Sequence, residues 1–146
     1  MGKVLAVCIS EKKGTRKTVV PEISVRVGHG IEGDAHAGNW HRQISLLAQE
    51  SVDTMRADGL ELDAGVFAEN IRTEGVDWKR LPVGTAFSIG ETALELTQIG
   101  KECHNDCEIK RLTGRCVMPT EGVFAVVRRS GVIHPGDEIT FLEETK

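Results

Sequence analysis

The sequence is poor in aromatic residues and has no tyrosine: two tryptophans and four phenylalanines are its aromatic side chains. It has no apolar run near the roughly 20 residues that cross a bilayer, and its first eight residues are too short and too soon polar for a secretory signal. It also lacks an excess of positive charge, with a net charge of −4 and a pI near 5.7. We therefore expect a cytoplasmic protein with neither a membrane nor a nucleic acid as its partner.

The composition is that of a folded protein with many turns. Hydrophobic residues make up 40% and charged residues 27% of 146 residues, which argues against disorder. This length favours a single domain over residues 1–146. The 16 glycines indicate many turns between short strands. The prediction is an all-β fold with a few short helices, arranged as a closed or nearly closed β-barrel.

Apolar runs and alternation of apolar with polar residues predict eight short strands. These are 4–9, 23–27, 43–47, 71–73, 85–89, 93–97, 123–127 and 138–142. Val52 and Met55 fit one face of a helix over 48–58, which Gly59 would end. One segment is repeated: 81–89 resembles 133–141 when Gly84 is aligned with Gly136. Both copies predict a glycine turn that leads into a strand with alternate residues inward.

Three of the four cysteines fall in one short segment. Cys8 lies in an apolar run and is interpreted as a small buried hydrophobic residue. Cysteines in a cytoplasmic protein more often serve as ligands or nucleophiles than as disulfides. Cys103 has polar neighbours and stands near a possible helix start, which favours the thiolate. It could carry a persulfide, ligate a soft metal or molybdenum, or complete a zinc or iron–sulfur site. That metal site would use Cys103, His104, Cys107 and Cys116.

Two further segments carry polar residues beside glycine or apolar residues. The first, 34–42, contains Asp34, His36, His41 and Arg42. Such a loop suits an anion or a polar ring, and an arginine can hold a phosphate with two bonds; the alternative is a surface loop with a local Asp–His bond. In the second segment, Glu69 and Asn70 either point into a pocket or satisfy backbone groups. The basic cluster of the chain is Lys12, Lys13, Arg16 and Lys17.

These segments, in their order along the chain, resemble the MOSC family, the C-terminal domain of molybdenum cofactor sulfurases. The motifs are IEGDAH at 31–36, HRQISLL at 41–47, FAENI at 67–71, GKEC at 100–103 and GVIHPGD at 131–137. The resemblance is to the small stand-alone bacterial type and covers nearly the whole chain. It implies a mostly-β barrel in which Cys103 holds a persulfide sulfur or ligates the molybdenum of the pterin cofactor.

The resemblance also implies the rest of the site. The residues that would line the same pocket are Asp34, His36, His41, Arg42, Glu69 and Asn70. Fused relatives carry a pyridoxal-phosphate desulfurase domain, so pyridoxal phosphate would act only through a separate partner. That partner would be a cysteine desulfurase or a molybdoenzyme maturation protein. Glu102 stands where many relatives have proline or arginine, and Cys107 and Cys116 are additional thiols that could resolve a disulfide or bind a metal.

The resulting hypothesis is a molybdenum-cofactor-associated sulfur carrier or cofactor-binding protein. As an enzyme, it would be a sulfurtransferase-like carrier. One alternative is a zinc or iron–sulfur binding module without transfer chemistry. A second alternative is a component of a molybdenum-dependent reductase, which would need an electron-donating partner. The sequence leaves the oligomeric state open.

Overall fold

The computed structural model describes residues 2–10, 17–35, 37–50, 69–99 and 122–141. These residues are almost entirely strands and turns. The strands are β1 (Gly2–Ile9), β2 (Thr18–Val20), β3 (Ile23–Arg26), β4 (Gly30–Ile31), β5 (Ile44–Ala48), β6 (Ile71–Glu74), β7 (Ala86–Ile89), β8 (Thr92–Ile99), β9 (Val123–Arg129), β10 (Gly131–Ile133) and β11 (Glu138–Phe141). One turn of 3-10 helix, Trp78–Arg80, lies between β6 and β7.

Seven of these strands form a closed barrel. Their order around the ring is β11, β7, β8, β9, β5, β6 and β1, and the ring closes where β1 pairs with β11 at Gly2 and Ile139. Neighbours in the ring are antiparallel except β5 and β6, which are parallel. Strand β2 adds to β1 outside the ring, and β10, β3 and β4 form a small second sheet. The predicted closed, mainly-β barrel is therefore confirmed.

The eight strands predicted from the sequence all exist, with ends shifted by one or two residues. The prediction missed β2, β4 and β10, which have two or three residues each and carry too little alternation to be recognised. Of the predicted helix 48–58, Gln49 and Glu50 are helical, and residues 51–58 lie outside the described residues. No helix in the described segments is long and apolar enough to cross a membrane.

The repeated segment is confirmed as two equivalent glycine turns. Gly84 and Gly136 adopt φ values of +99° and +93°, a conformation that side chains with a Cβ rarely adopt. The turns lead into β7 and β11, which pair with each other in antiparallel register. The inward residues of these strands, such as Phe87 and Ile139, are fully buried. The repeat thus supplies two neighbouring strands of the barrel.

Strand β5 shows how the barrel separates its two faces. Side chains alternate along a strand, so Ile44, Leu46 and Ala48 face the interior, where they join the hydrophobic core. Ser45 and Leu47 face outward, yet they are buried as well. A strand buried on both faces has no polar stripe, which explains its nearly continuous apolar sequence.

Five neighbouring strands, β1, β6, β5, β9 and β8, lie side by side along one part of the barrel wall, which we call the site region. The residues that define it are Cys8 of β1, Asn70 before β6, Ser45 of β5, Val123 of β9 and Ile99 of β8. Backbone N–H groups join Cys8 to Asn70 at 2.7 Å and Asn70 to Ser45 at 3.0 Å. Ile99 pairs with Val123, and Val123 pairs with Leu46, so β8 ends and β9 begins beside β5.

Candidate functional site

A buried ion pair joins two loops of the site region. Lys17 Nζ lies 2.8 Å from Asp34 Oδ1, and both side chains are fully buried. The ammonium also donates to Ser10 Oγ at 3.0 Å, and the backbone N–H of Ser10 donates to Asp34 Oδ1 at 3.1 Å. The prediction that Lys17 belongs to a basic cluster is therefore wrong, because its charge is buried and paired. The other members of that cluster, Lys12, Lys13 and Arg16, lie outside the described residues.

A second buried ion pair lies on the outer face of β6. Arg72 directs Nε and Nη2 at Glu69 Oε2, at 2.7 and 2.6 Å, and Nη1 at Gln49 Oε1, at 2.8 Å. The carboxylate is completely buried and the arginine nearly so. Arg72 was not predicted as a site residue. Its signal in the sequence is a charge in an outward position between Ile71 and Thr73, which ordinarily indicates a solvated face.

Asn70 connects three strands of the barrel through its amide. Its Oδ1 accepts from the backbone N–H of Ser45 at 2.9 Å and from the Ser45 hydroxyl at 3.1 Å. Its Nδ2 donates to the backbone carbonyl of Cys8 at 3.1 Å. Of the two possibilities that the sequence left open for Asn70, the structure shows that it satisfies backbone groups. Such a side chain fixes the relative positions of β1, β5 and β6.

The Cys8 thiol lies beside both ion pairs. Burial raises its pKa from 9.0 to about 12, and the negative charge of Glu69 contributes in the same direction. Arg72 and Lys17 oppose this shift without cancelling it. The pKa of Lys17 is lowered below 10.5, chiefly by burial, against the stabilising effect of Asp34. Cys8 is therefore a protonated, buried thiol at neutral pH, which agrees with its interpretation as a packing residue.

Arg42 differs from the other charged residues of the site because it has no carboxylate partner in the described part of the chain. Its guanidinium carbon lies 4.8 Å from the centre of the Trp40 ring and 5.7 Å from that of Phe124. Its Nε is buried and has no hydrogen-bond partner among the described residues. Asp34 and Glu69, the two acids of the predicted site, contact Lys17 and Arg72.

The segment around Arg42 is anchored on β8 and β9. His41 Nε2 lies 2.8 Å from Gln98 Oε1, and the hydroxyl of Thr97 donates to the backbone carbonyl of His41. On the other side of Arg42, Gln43 Oε1 accepts the backbone N–H of Val127 at 3.0 Å. The histidine ring also meets the Trp40 ring edge-on, with centroids 5.9 Å apart. These contacts hold Arg42 close to the strand ends that flank residues 100–121.

The structure brings Asp34, Glu69 and Asn70 close to Cys8, and it places His41 and Arg42 against β8 and β9. Asp34, His41, Arg42, Glu69 and Asn70 are the predicted residues that it describes. The predicted residues that lie outside the described positions are His36, Cys103, His104, Cys107 and Cys116. Within the described segments, no group of three His, Cys, Asp or Glu side chains could hold a metal ion. The metal prediction therefore depends on residues that the structure does not describe.

Four residues of the site were not recognised in the sequence: Ser45, Arg72, Trp40 and Phe124. Their roles depend on neighbours that are distant in the chain, such as the pairing of Ser45 with Phe124 across β5 and β9. A separate cavity of about 410 Å³ lies where β5 and β6 end and β1 begins. The described residues that line it are Gly2, Lys3, Glu50, Glu74, Gly75 and Glu138. None of these was a predicted site residue.

Comparison with known proteins identifies the fold and the family. The family model of the MOSC domain matches residues 33–140, which include the strands β5 to β10 and most of the described site. No curated protein matches the sequence. The family assignment therefore comes from the domain model, and the solved structures show the fold.

Three solved structures show the same fold at low sequence identity. The YUAD protein from Bacillus subtilis is 20% identical with a TM-score of 0.75, covering 95% of this chain and 94% of that one. YiiM from Geobacillus stearothermophilus is 19% identical with a TM-score of 0.76, and the match covers 98% of this chain and 76% of that one. YiiM from Escherichia coli is 16% identical with a TM-score of 0.70, and the match covers 98% of this chain and 71% of that one. The barrel is thus shared by proteins that differ in four of five residues.

Proposed function

The chain belongs to the MOSC domain family, which is associated with molybdenum cofactor sulfurase-like proteins, and from this premise we propose that it is a sulfur carrier or cofactor-binding protein of molybdenum cofactor metabolism. In this proposal Cys103 holds a persulfide sulfur or ligates molybdenum. The observation that carries it is Arg42 Nε, which is buried without a hydrogen-bond partner among the described residues and lies near the strand ends that flank the cysteine segment.

Chain geometry supports a position of Cys103 near Arg42. Cys103 follows Ile99 by four residues, and four residues span at most about 14 Å. Ile99 pairs with Val123 in the site region. Thr97, two residues before Ile99, binds the backbone of His41, the neighbour of Arg42. This reach would allow one cofactor-sized ligand to contact both the thiol and the guanidinium.

The described residues fit an anionic pterin cofactor in two different ways. Arg42 and His41 are partly or largely exposed, and the guanidinium offers N–H donors for a phosphate. Asp34, Glu69 and Asn70 are buried and engaged with the protein itself, so they would shape the site rather than contact the cofactor. When bound, the cofactor would supply the molybdenum whose sulfur or oxygen ligands exchange.

The carrier chemistry needs one thiolate and one donor of sulfane sulfur. The Cys103 thiolate would attack the outer sulfur of a persulfide on a cysteine desulfurase. A sulfur–sulfur bond forms at Cys103, the donor's sulfur–sulfur bond breaks, and the donor leaves as a thiolate. Pyridoxal phosphate would thus act only in that partner. Cys8 is unsuited to this step, because its pKa of about 12 keeps it protonated at neutral pH.

The direct test is the intact mass of the protein after incubation with a cysteine desulfurase and cysteine. We expect a gain of one sulfur atom that disappears on reduction, and no gain in Cys103→Ser. Cys107→Ser and Cys8→Ala are matched controls that should still load. Equal loading of Cys103→Ser would remove the carrier assignment from Cys103.

Metal analysis separates the cofactor-binding and zinc-module hypotheses. Protein purified without added metal should contain molybdenum in proportion to its retained pterin, which is measured by its fluorescence after oxidation. Stoichiometric zinc or iron that is lost in Cys107→Ser and Cys116→Ser would instead support the binding module. This measurement needs no assumption about sulfur transfer.

A further inference from the structure

The Arg42 guanidinium and its two aromatic neighbours have a geometry that points to a specific ligand chemistry. We propose that Arg42 is the donor of a tetrahedral oxyanion site and that Trp40 and Phe124 are positioning residues that orient its guanidinium. This rests on the proposed function, because it names the kind of group that the site recognises. It adds Trp40 and Phe124, which no part of that function includes.

The first argument is the unsatisfied donor. The Nε atom of Arg42 is buried without a partner among the described residues, and leaving a buried charged donor unpaired is costly. The side chain as a whole is partly exposed, so part of it borders solvent although Nε itself is covered. Nε and one terminal nitrogen form the fork with which arginine grips two oxygens of one anion. A bound oxyanion would satisfy this donor.

The second argument is the fixed orientation of the guanidinium. Its central carbon lies within the usual cation–π range of two rings, at 4.8 Å from Trp40 and 5.7 Å from Phe124. Phe124 is buried in β9, and Trp40 belongs to a segment that is hydrogen-bonded to Gly38 and, through His41, to β8. A donor that is held in place loses less conformational freedom when it binds.

The third argument is the local charge. The two carboxylates of the predicted site are already neutralised, since Asp34 pairs with Lys17 and Glu69 pairs with Arg72. Arg42 therefore keeps a net positive charge in a chain whose total charge is −4. A local positive site within an acidic protein selects anions at that position and repels them elsewhere.

The partly exposed Trp40 ring makes the site sensitive to what carries the oxyanion. A phosphate monoester with a planar ring could contact Arg42 through its oxygens and Trp40 through its ring. A free inorganic oxyanion could use the guanidinium alone. The shared chemistry is the tetrahedral oxyanion, and the two sources differ in whether the aromatic ring adds affinity.

Tryptophan fluorescence gives a readout that is independent of any catalytic activity. The chain has two tryptophans, Trp40 and Trp78; Trp78 is buried in the core, with 2% of its surface exposed, and serves as a constant background. We would titrate the protein with sodium phosphate and with phenyl phosphate at constant ionic strength. Calorimetric titration of the same samples gives the affinity when a variant lacks the Trp40 signal.

We expect saturable binding that is weakened about tenfold or more in Arg42→Ala, the scale of one charge-assisted hydrogen bond. Arg42→Lys should also bind weakly, because lysine keeps the charge but not the fork. Trp40→Leu should weaken binding several-fold and Trp40→Phe should restore it, since phenylalanine retains a ring face. Arg128→Ala, which removes an exposed arginine paired with Glu95, is the matched control and should bind normally.

The outcomes of the experiment distinguish a phosphate monoester from a free oxyanion. They also test the oxyanion site separately from the proposed carrier function. Tighter binding of phenyl phosphate than of phosphate supports a monoester, and equal binding supports a free oxyanion. Unchanged affinity in Arg42→Ala, or no saturable binding of either probe, overturns this inference. Phosphate binding that persists in Cys103→Ser while persulfide loading fails in every variant would contradict the carrier function and leave the oxyanion site standing.

Discussion

Lys17 and Asp34 form a fully buried ion pair, with Nζ 2.8 Å from Oδ1, and the same carboxylate oxygen accepts the backbone N–H of Ser10. Ser10 and Lys17 stand on either side of residues 11–16, so one carboxylate ties both ends of that segment to the turn that follows β4. The neighbouring residue Ala35 strengthens this link through its N–H, which donates to the carbonyl of Ser10 at 2.7 Å.

Removing one partner of this pair should be strongly destabilising. Asp34→Ala leaves the Lys17 charge buried without compensation, and we expect a loss of about 3–5 kcal/mol in the free energy of unfolding. The double variant Lys17→Met with Asp34→Leu should lose much less, because no charge remains to be buried. Urea unfolding of the single and double variants measures this cycle. A loss below about 1 kcal/mol in Asp34→Ala would show that the pair is not a structural element.

Removal of the Asn70 amide should also destabilise the protein. In Asn70→Ala the backbone N–H of Ser45 loses its acceptor inside the protein, and an unsatisfied buried donor costs about 1–3 kcal/mol. Asn39→Ala, at an exposed position, is the matched control and should change stability by less than about 0.5 kcal/mol. Thermal and urea unfolding report the difference. Similar stabilities of the two variants would contradict the role of Asn70 as a link between strands.

Arg42 should matter for the cofactor more than for the fold. No ion pair involves Arg42 in the described part of the chain, so Arg42→Ala loses only ring contacts, each worth about 0.5–1 kcal/mol. We expect cofactor binding to weaken by about 1.5–3 kcal/mol, with a nearly unchanged thermal midpoint. Cofactor retention and the thermal midpoint are measured together for Arg42→Ala and Arg42→Lys. Full retention with a lowered midpoint in both variants would make Arg42 a structural residue.

The raised pKa of the Cys8 thiol predicts that the stability of the protein depends on pH in the alkaline range. Its pKa is 9.0 in the unfolded chain and about 12 in the folded protein. Above pH 9 the unfolded chain therefore binds fewer protons than the folded one, and the thiol's contribution to stability falls as pH rises from 9 to 12. The maximum slope is about 1.4 kcal/mol per pH unit.

Comparison with Cys8→Ala isolates this effect. The pKa of Lys17 is lowered below 10.5 and favours folding as pH rises, but this contribution is present in both proteins and largely cancels. The difference in unfolding free energy between the two should be constant between about pH 7 and 8 and should shrink above pH 9. The measurement is urea unfolding across this range. A constant difference up to about pH 10 would show that the thiol is not desolvated.

The strands and turns of the barrel were predictable because they depend on local patterns. Alternation over four or more residues identified the longer strands, and the repeated glycine turns at Gly84 and Gly136 identified β7 and β11. The shortest strands were missed, because Gly30 and Ile31 of β4 have no periodicity of their own. Their pairing with Arg26 and Val25 is decided by the neighbouring strand.

The order of segments along the chain was enough to indicate the family, and the family model confirms it over residues 33–140. The same reasoning could not distinguish residues that contact a ligand from residues that support the site. Asp34 and Asn70 have the residue types of ligand-binding groups, yet both are engaged by the protein itself. Only the three-dimensional arrangement shows where their hydrogen bonds go.

The sequence by itself determined the barrel, since hydrophobic alternation and glycine turns act between residues close in the chain. The tertiary structure alone decided which charges are paired. Lys17 meets Asp34 across 17 residues, and Arg42 meets Phe124, which is more than 80 residues away. Burial fixes these partners, because a charge removed from water must find a counter-charge or remain available for a ligand. Among the described residues of the predicted site, Arg42 is the one whose charge remains available for a ligand.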